Sequence, residues 1–179
     1  MDILAHESFV ECVPNFSEGA DEATLEAIAE AIAEHAGSWL LDRTADSDHG
    51  RSVYTLAGYP GRVMAAMEAA VGVALERIDM RAHDGRHPRL GAVDVIPFVP
   101  LGDTTMEQCV TGARTFAERL ADRFDLPVYL YRDAALVSQR AALADVRRPG
   151  FEGLAQAMAR DGGEPDFGPD RPHPSAGAT

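Results

Sequence analysis

The chain has 179 residues, 46% of them hydrophobic and 25% charged, with a formal net charge of -13 at pH 7. A chain of that size and mix folds around one core without help from disulfides or metal, and the acid excess excludes a nucleic-acid backbone or an anionic membrane as main partner, since both demand a basic face. No apolar run reaches bilayer length and the opening MDILAHESFVEC lacks the pattern of a secretory signal, so the expected location is the cytoplasm.

Residues 8–14 alternate as a strand, and residues 21–35 place Leu25, Ile28, Ala29 and Ile32 on one helical stripe. Asp21, Glu22 and Glu26 suit the positive end of that helix, and Gly37 stands where a left-handed cap is wanted. Strands are predicted at 38–42 and 52–57, joined by the polar segment RTADSDHGR. Pro60 opens an amphipathic helix to Arg77, since proline costs no hydrogen bond in a first turn. The next strand is 92–99. Thr104 and Glu107 form a capping box for a helix reaching Phe124, and PVYLY at 127–131 reads as a further strand. Short helical pieces follow at 140–147 and 150–160, then a Gly- and Pro-rich end. The order predicts an α/β (α+β) fold: a ferredoxin-like βαββαβ core with an added αβ unit, its mixed sheet covered by helices. Cys12 and Cys109 are too few for a disulfide framework, form no CxxC pair and read as buried apolar side chains.

The densest chemistry lies in residues 77–94, RIDMRAHDGRHPRLGAVD. Arg77, Arg81, Arg86 and Arg89 stand against Asp79 and Asp84, so the segment is locally basic on an acidic chain. Asp84-Gly85 is a turn signal and Pro88 disfavours helical geometry at His87, which puts this histidine on a loop at a strand edge. Imidazole titrates near neutrality and suits proton transfer to or from an amine, while the arginines can hold carboxylates through paired hydrogen bonds. Two other readings stand beside it. His87 can be a solvated loop residue bonded to a carbonyl. His83 and His87 can be metal ligands with Asp84, Asp46 or Asp48, a spacing that works on a helix, which Gly85 and Pro88 oppose.

Two further segments are candidate contacts. In DSDHGRSV, Asp48, His49 and Arg51 flank Gly50, which permits close backbone approach. In VPNFSEG, Asn15, Ser17 and Glu18 lie between a strand end and a helix start, where free N–H donors gather, although a plain connection explains the segment as well.

Together VECVPNFSEG (10–19), LLD (40–42), RSVYTLAG (51–58), IDM (78–80), HPRLGAVDVIPFVP (87–100), PVYLY (127–131), PDFGP (165–169) and HPSAGAT (173–179) resemble, in order, the motifs of formimidoyltransferases, in particular the N-terminal subdomain of glutamate formimidoyltransferase. The resemblance implies a transferase of histidine degradation and one-carbon metabolism. It would move the formimino group from N-formimino-L-glutamate to tetrahydrofolate, its co-substrate, giving 5-formiminotetrahydrofolate and L-glutamate. His87 would be the catalytic acid/base. It would take the proton from the folate N5 as that nitrogen attacks the formimino carbon, and then assist departure of the glutamate nitrogen. The folate-binding segment would be Gly168, Pro169, Asp170, Arg171, Pro172, His173, Pro174, Ser175, Ala176 and Gly177. Arg89 and Arg51 are the candidate carboxylate contacts, with Asn15 a further binding residue; no metal is implied. Thr44 stands where many members carry a second acid and Gly50 where many have Asn, so Asp46 or Asp48 is the expected substitute for orienting the histidine. Residues 1–179 would form one subdomain, with about 165–179 leading toward a second, absent subdomain, and a homodimer or a complementary C-terminal chain is expected. The alternative is a folate-binding or interaction module without turnover.

Overall fold

The computed structural model describes residues 8–83 and 86–179. The elements are β1 (Ser8–Cys12), β2 (Asn15–Phe16), α1 (Glu22–Ala33), β3 (Ser38–Asp46), β4 (Arg51–Gly58), α2 (Pro60–Arg77), β5 (Val93–Val95), β6 (Phe98–Gly102), α3 (Met106–Phe124), α4 (Leu143–Arg147) and α5 (Gly150–Met158). Proline breaks two of the predicted strands. Pro14 separates β1 from β2, and Pro97 separates β5 from β6, because neither residue can donate to a ladder. Counted as runs, β1–β2 and β5–β6 each act as one long strand. The sheet then orders as second run, third run, first run, fourth run, the arrangement of a ferredoxin-like βαββαβ core.

Every named strand pairing is antiparallel, where a mixed sheet was expected. Both β-α-β crossovers skip one strand position, so parallel runs never become neighbours. The added αβ unit is half present. Helix α3 forms, but PVYLY does not join the sheet, because its backbone donors are taken elsewhere: Val128 N–H by Phe167 O at 2.9 Å, Tyr129 N–H by Thr179 O at 2.8 Å and Leu130 N–H by the Asp166 carboxylate at 2.7 Å. Arg140 pairs with the same carboxylate at 2.7 Å and lies over the Tyr129 ring. The segment 127–131 is thus tied to the C-terminal stretch.

Alternate residues of β1, β2 and β4 (Val10, Cys12, Phe16, Tyr54, Leu56) point inward against Ile28 and Ile32 of α1, Val63, Met67 and Val71 of α2, and Phe116 and Leu120 of α3. Phe16 meets Tyr54 edge-on, and the Tyr54 hydroxyl donates to Leu25 O at 2.8 Å, so the phenol enters the core with its polar end satisfied. Glu68 of α2 is also buried and takes both Arg119 and Arg123 of α3, joining the two helices.

The helix bounds agree with the sequence pattern to within three residues, while the caps differ in detail. Asp21 caps α1 through Ala23 N–H, but Gly37, at φ +86°, lies beyond the cap at Glu34 and begins the turn into β3. The capping box of α3 is Thr105 with Gln108, one residue later than Thr104 with Glu107. Thr104 is buried instead. Thr105→Ala should therefore lower stability by about 1 kcal/mol, read as an earlier urea midpoint with unchanged slope, while Thr104→Val should not remove the cap. No helix among the described residues is long and apolar enough to cross a membrane.

Candidate active site

The outer sheet face carries the other alternate residues. Arg51, Val53, Thr55 and Ala57 of β4 lie there, and the register sets Asn15 beside Val53, Glu11 beside Ala57 and Val99 beside Glu11. Strand β3 joins this face through an irregularity at Leu41. Trp39 pairs Ala57 and Leu40 pairs Leu56, but the next partner of Thr55 is Asp42, so one extra residue is absorbed. That slip brings Asp42, Thr44 and Asp46 opposite Thr55, Val53 and Arg51. The face has two ends: a polar one around Arg51, and an apolar one where Phe9, Trp39 and Tyr59 pack with ring centroids 5.0–6.3 Å apart near exposed Val99 and Leu101.

His87 sits at the polar end. Its backbone N–H donates to His49 O at 3.4 Å, and its Nε2 lies 2.9 Å from Arg51 Nη1. A guanidinium can only donate, so Nε2 accepts and the ring is neutral with its proton on Nδ1. The histidine is half-buried, and its pKa is lowered from the ordinary value first by desolvation and then by the Arg51 cation, with Asp94 opposing and Arg147 and His49 adding to the lowering. The expected orienting carboxylate is not there: among the described residues no acid bonds the His87 ring. Asp46 instead takes His49 Nδ1 at 2.8 Å and the N–H groups of Asp48 and His49, shaping the β3–β4 turn that presents the His49 carbonyl.

The two candidate arginines separate. Arg89 donates from Nε to His83 Nδ1 at 3.1 Å and pairs with Glu152 of α5 at 2.9 Å, which makes it a brace for the loop rather than a free carboxylate contact. Since His83 Nδ1 accepts, its Nε2 carries the proton and donates to Gly50 O at 2.9 Å. Both ring nitrogens of His83 are engaged, so the reading of His83 with His87 as a metal pair loses one of its ligands; Asp84 and Gly85 lie outside the described residues. Arg51 has no carboxylate within ion-pair distance among the described residues.

The other candidates are placed as follows. Asn15 lies on the outer face beside Val53, its amide donating to Val13 O at 3.1 Å. Ser17 donates to Gly91 O at 2.7 Å, and one oxygen of Glu18 accepts from the N–H groups of Gly19, Ala20 and Asp21, so the donors before α1 are already consumed. The segment Gly168–Gly177 packs beside the His87 loop: Met80 N–H donates to Ser175 O at 2.7 Å and Ala92 N–H to Ala176 O at 2.9 Å. Ala176 and Gly177 are buried; Gly168, Asp170, Arg171 and Pro174 are exposed, Arg171 pairing with Asp125 at 2.9 Å, while Pro169, Pro172, His173 and Ser175 are intermediate. His173 Nδ1 accepts from Ala176 N–H, closing the turn, and desolvation lowers its pKa.

A cleft of about 340 Å³, missed by sequence reasoning, opens where β5 and β6 part at Pro97 and where 128–134 fails to complete the sheet. Its walls are apolar, with Ile96, Phe98, Val110 and Leu130 among them, and its polar lining includes Tyr131 and the ion pair of buried Asp94 with partly exposed Arg147. Burial pushes the Tyr131 hydroxyl up from its ordinary range. Asp94 and Arg147 also act electrostatically on His87, so the cleft's polar lining lies within reach of the histidine's field.

Residues 9–179 match the family described as formiminotransferase domain, N-terminal subdomain. Among characterised proteins, a glutamate formimidoyltransferase of Streptococcus pyogenes is 41% identical over 95% of this chain and 57% of its own length. One of Thermoplasma acidophilum is 46% identical over 90% of this chain and 54% of its own. A formimidoyltransferase-cyclodeaminase of Rattus norvegicus is 44% identical over 95% of this chain and 31% of its own. The chain thus spans between 31% and 57% of the length of these relatives. With a match running from β1 to Thr179, the chain belongs to the formiminotransferase domain family, as its N-terminal subdomain.

Proposed function

We propose that this subdomain supplies the acid/base side of formimino transfer from N-formimino-L-glutamate to tetrahydrofolate, yielding 5-formiminotetrahydrofolate and L-glutamate. The observation that carries the reading is a neutral His87, held with Nε2 toward Arg51 on the outer sheet face. A neutral imidazole near pH 7 is the base such an exchange needs. His87 Nε2 accepts the proton that leaves the attacking folate nitrogen and returns one to the departing glutamate nitrogen, so no net proton is lost and one C–N bond replaces another. The residues present fit a flat heterocycle. The cleft lies in the usual size range of ligand pockets, its walls are apolar, and Asp94, Arg147 and Tyr131 of its lining offer hydrogen bonds. When bound, folate supplies the nucleophilic nitrogen; the chain's own part is to orient, shield and exchange protons. Neither His87 nor residues 168–177 line the cleft. The exposed Gly168, Asp170, Arg171 and Pro174 are proposed as folate contacts beside the His87 loop, where their segment packs, and the buried members hold its shape.

Formation of the 5-formimino product, followed by its absorbance, tests the reading. Turnover supports it, whereas folate binding without turnover, in isolation and with a C-terminal subdomain added, leaves a binding module. Both cysteines are free and buried, in keeping with a reducing cytoplasm.

The apolar end of the outer face suits a protein partner, which we place as a second copy of this chain or a complementary C-terminal subdomain. Light scattering at micromolar concentration is expected to give a dimer that Trp39→Glu converts to monomer; a monomeric wild type would remove the homodimer.

A further inference from the structure

We propose that Arg51 is a positioning residue that keeps His87 from acting as a base until a carboxylate of the substrate draws the guanidinium away. The inference rests on reading His87 as the proton-transfer group and adds how that group is switched on. Four observations lead to it. Arg51 Nη1 donates into the one lone pair that the neutral His87 ring offers, at 2.9 Å, so the ring cannot take a proton at Nε2 while that bond stands. Arg51 has no carboxylate partner among the described residues, although acids pair with its neighbours: Arg43 with Glu22 and Glu26, Arg81 with Asp79, Arg89 with Glu152. It is half-buried, so an anion reaching it is poorly screened by water. Thr44 and Asp46 stand opposite Val53 and Arg51 on β3, yet Thr44 is uncharged and the Asp46 carboxylate is taken by His49 and the turn.

A cation with no carboxylate partner among the described residues, set beside a neutral histidine, is an arrangement that a carboxylate changes in one step. Bound to Arg51, the carboxylate frees Nε2 and cancels the positive field that disfavours the imidazolium. The groups facing His87 are Arg51 of β4, His49 of the β3–β4 turn, Asp94 of β5 and Arg147 of α4. Arg147 is neutralised by Asp94, and His49 is bonded to Asp46. Arg51 is therefore, among the described groups that face His87, the charge that a ligand can offset. The substrate class is an amino acid carrying free carboxylates, and a proton-transfer group so arranged becomes basic only when that class is present.

The test is the titration of His87 by NMR of its ring carbons, with L-glutamate as the probe and glutamate dimethyl ester as the uncharged control. In the wild type, L-glutamate should raise the His87 pKa and the diester should not. In Arg51→Gln the pKa should already be raised without ligand, glutamate should bind about 10- to 100-fold more weakly, and the residual binding should not move the titration. Arg51→Lys should restore the low pKa, which a merely structural loss would not. L-glutamate that binds the wild type without shifting His87, or fails to bind at tens of millimolar, overturns the proposal, as does an unchanged His87 pKa in a folded Arg51→Gln protein. None of these readouts uses folate or turnover, so a chain that stays inactive with a C-terminal subdomain added, yet shows the expected titration, would refute the proposed reaction and leave the switch standing.

Discussion

Gly91→Ala is expected to destabilise the protein by about 3 kcal/mol, a drop in Tm of roughly 6–12 °C, and to loosen the candidate site with it. The new methyl group would overlap the carbonyl oxygens of Ala176 and Ala178 and come within 2.8 Å of Ala178 N. These are backbone atoms in the bridge between Gly91 and Gly177, so no side-chain rotation relieves the clash. The same junction holds Ser17 Oγ on Gly91 O, Ala92 N–H on Ala176 O and Met80 N–H on Ser175 O. Forcing it apart displaces β5, which begins six residues after His87, and detaches 173–178 from it. Circular dichroism melts measure the loss. Gly61→Ala in the first turn of α2, where an added methyl meets nothing within 4 Å, is the control and should be neutral or slightly stabilising.

The contrast between these two glycines shows what the sequence could reveal. Helices were legible because their faces repeat: Leu25, Ile28 and Ile32 share a buried stripe, and Pro60 marks the start of α2. The βαββαβ order followed from counting elements, whereas the antiparallel pairing throughout the sheet was not read from it, because it depends on which runs become neighbours. Alternation alone could not show that Leu41 is absorbed as an extra residue, which decides whether Asp42, Thr44 and Asp46 face the core or His87's side. Nor could it show that Tyr129 N–H would meet Thr179 O, fifty residues on, and so leave PVYLY outside the sheet. His87 and its loop position were readable from Pro88 and the turn signal before it. The roles of the two arginines were not, because Arg51 and Arg89 differ only in what lies across from them: a histidine lone pair in one case, Glu152 and His83 in the other.

His87→Ala is expected to lower formimino transfer by about 10²- to 10⁴-fold, the usual worth of a positioned acid/base group, while leaving the fold intact. The residue is half-buried, and its bond to His49 O runs through the backbone, which alanine keeps. Added imidazole should recover part of the rate, which a misfolded variant would not allow. Two pH readouts follow from the direction of the shift. Desolvation, then Arg51, lowers the His87 pKa, so the base form persists to lower pH than for an ordinary histidine. Measured as kcat/KM, the acid limb should fall below the usual histidine range, and the variant should lose that limb. For stability the sign runs the same way. Below the ordinary value of about 6.5 the unfolded chain binds the proton that the folded one resists, so the neutral ring's contribution is present above that pH and declines as pH falls through it. His87→Ala should flatten this acid-side decline, visible in urea titrations between mildly acidic and neutral pH without any substrate. Wild-type turnover that survives the substitution unchanged would remove His87 from the chemistry and leave its lowered pKa as a consequence of burial beside Arg51 alone.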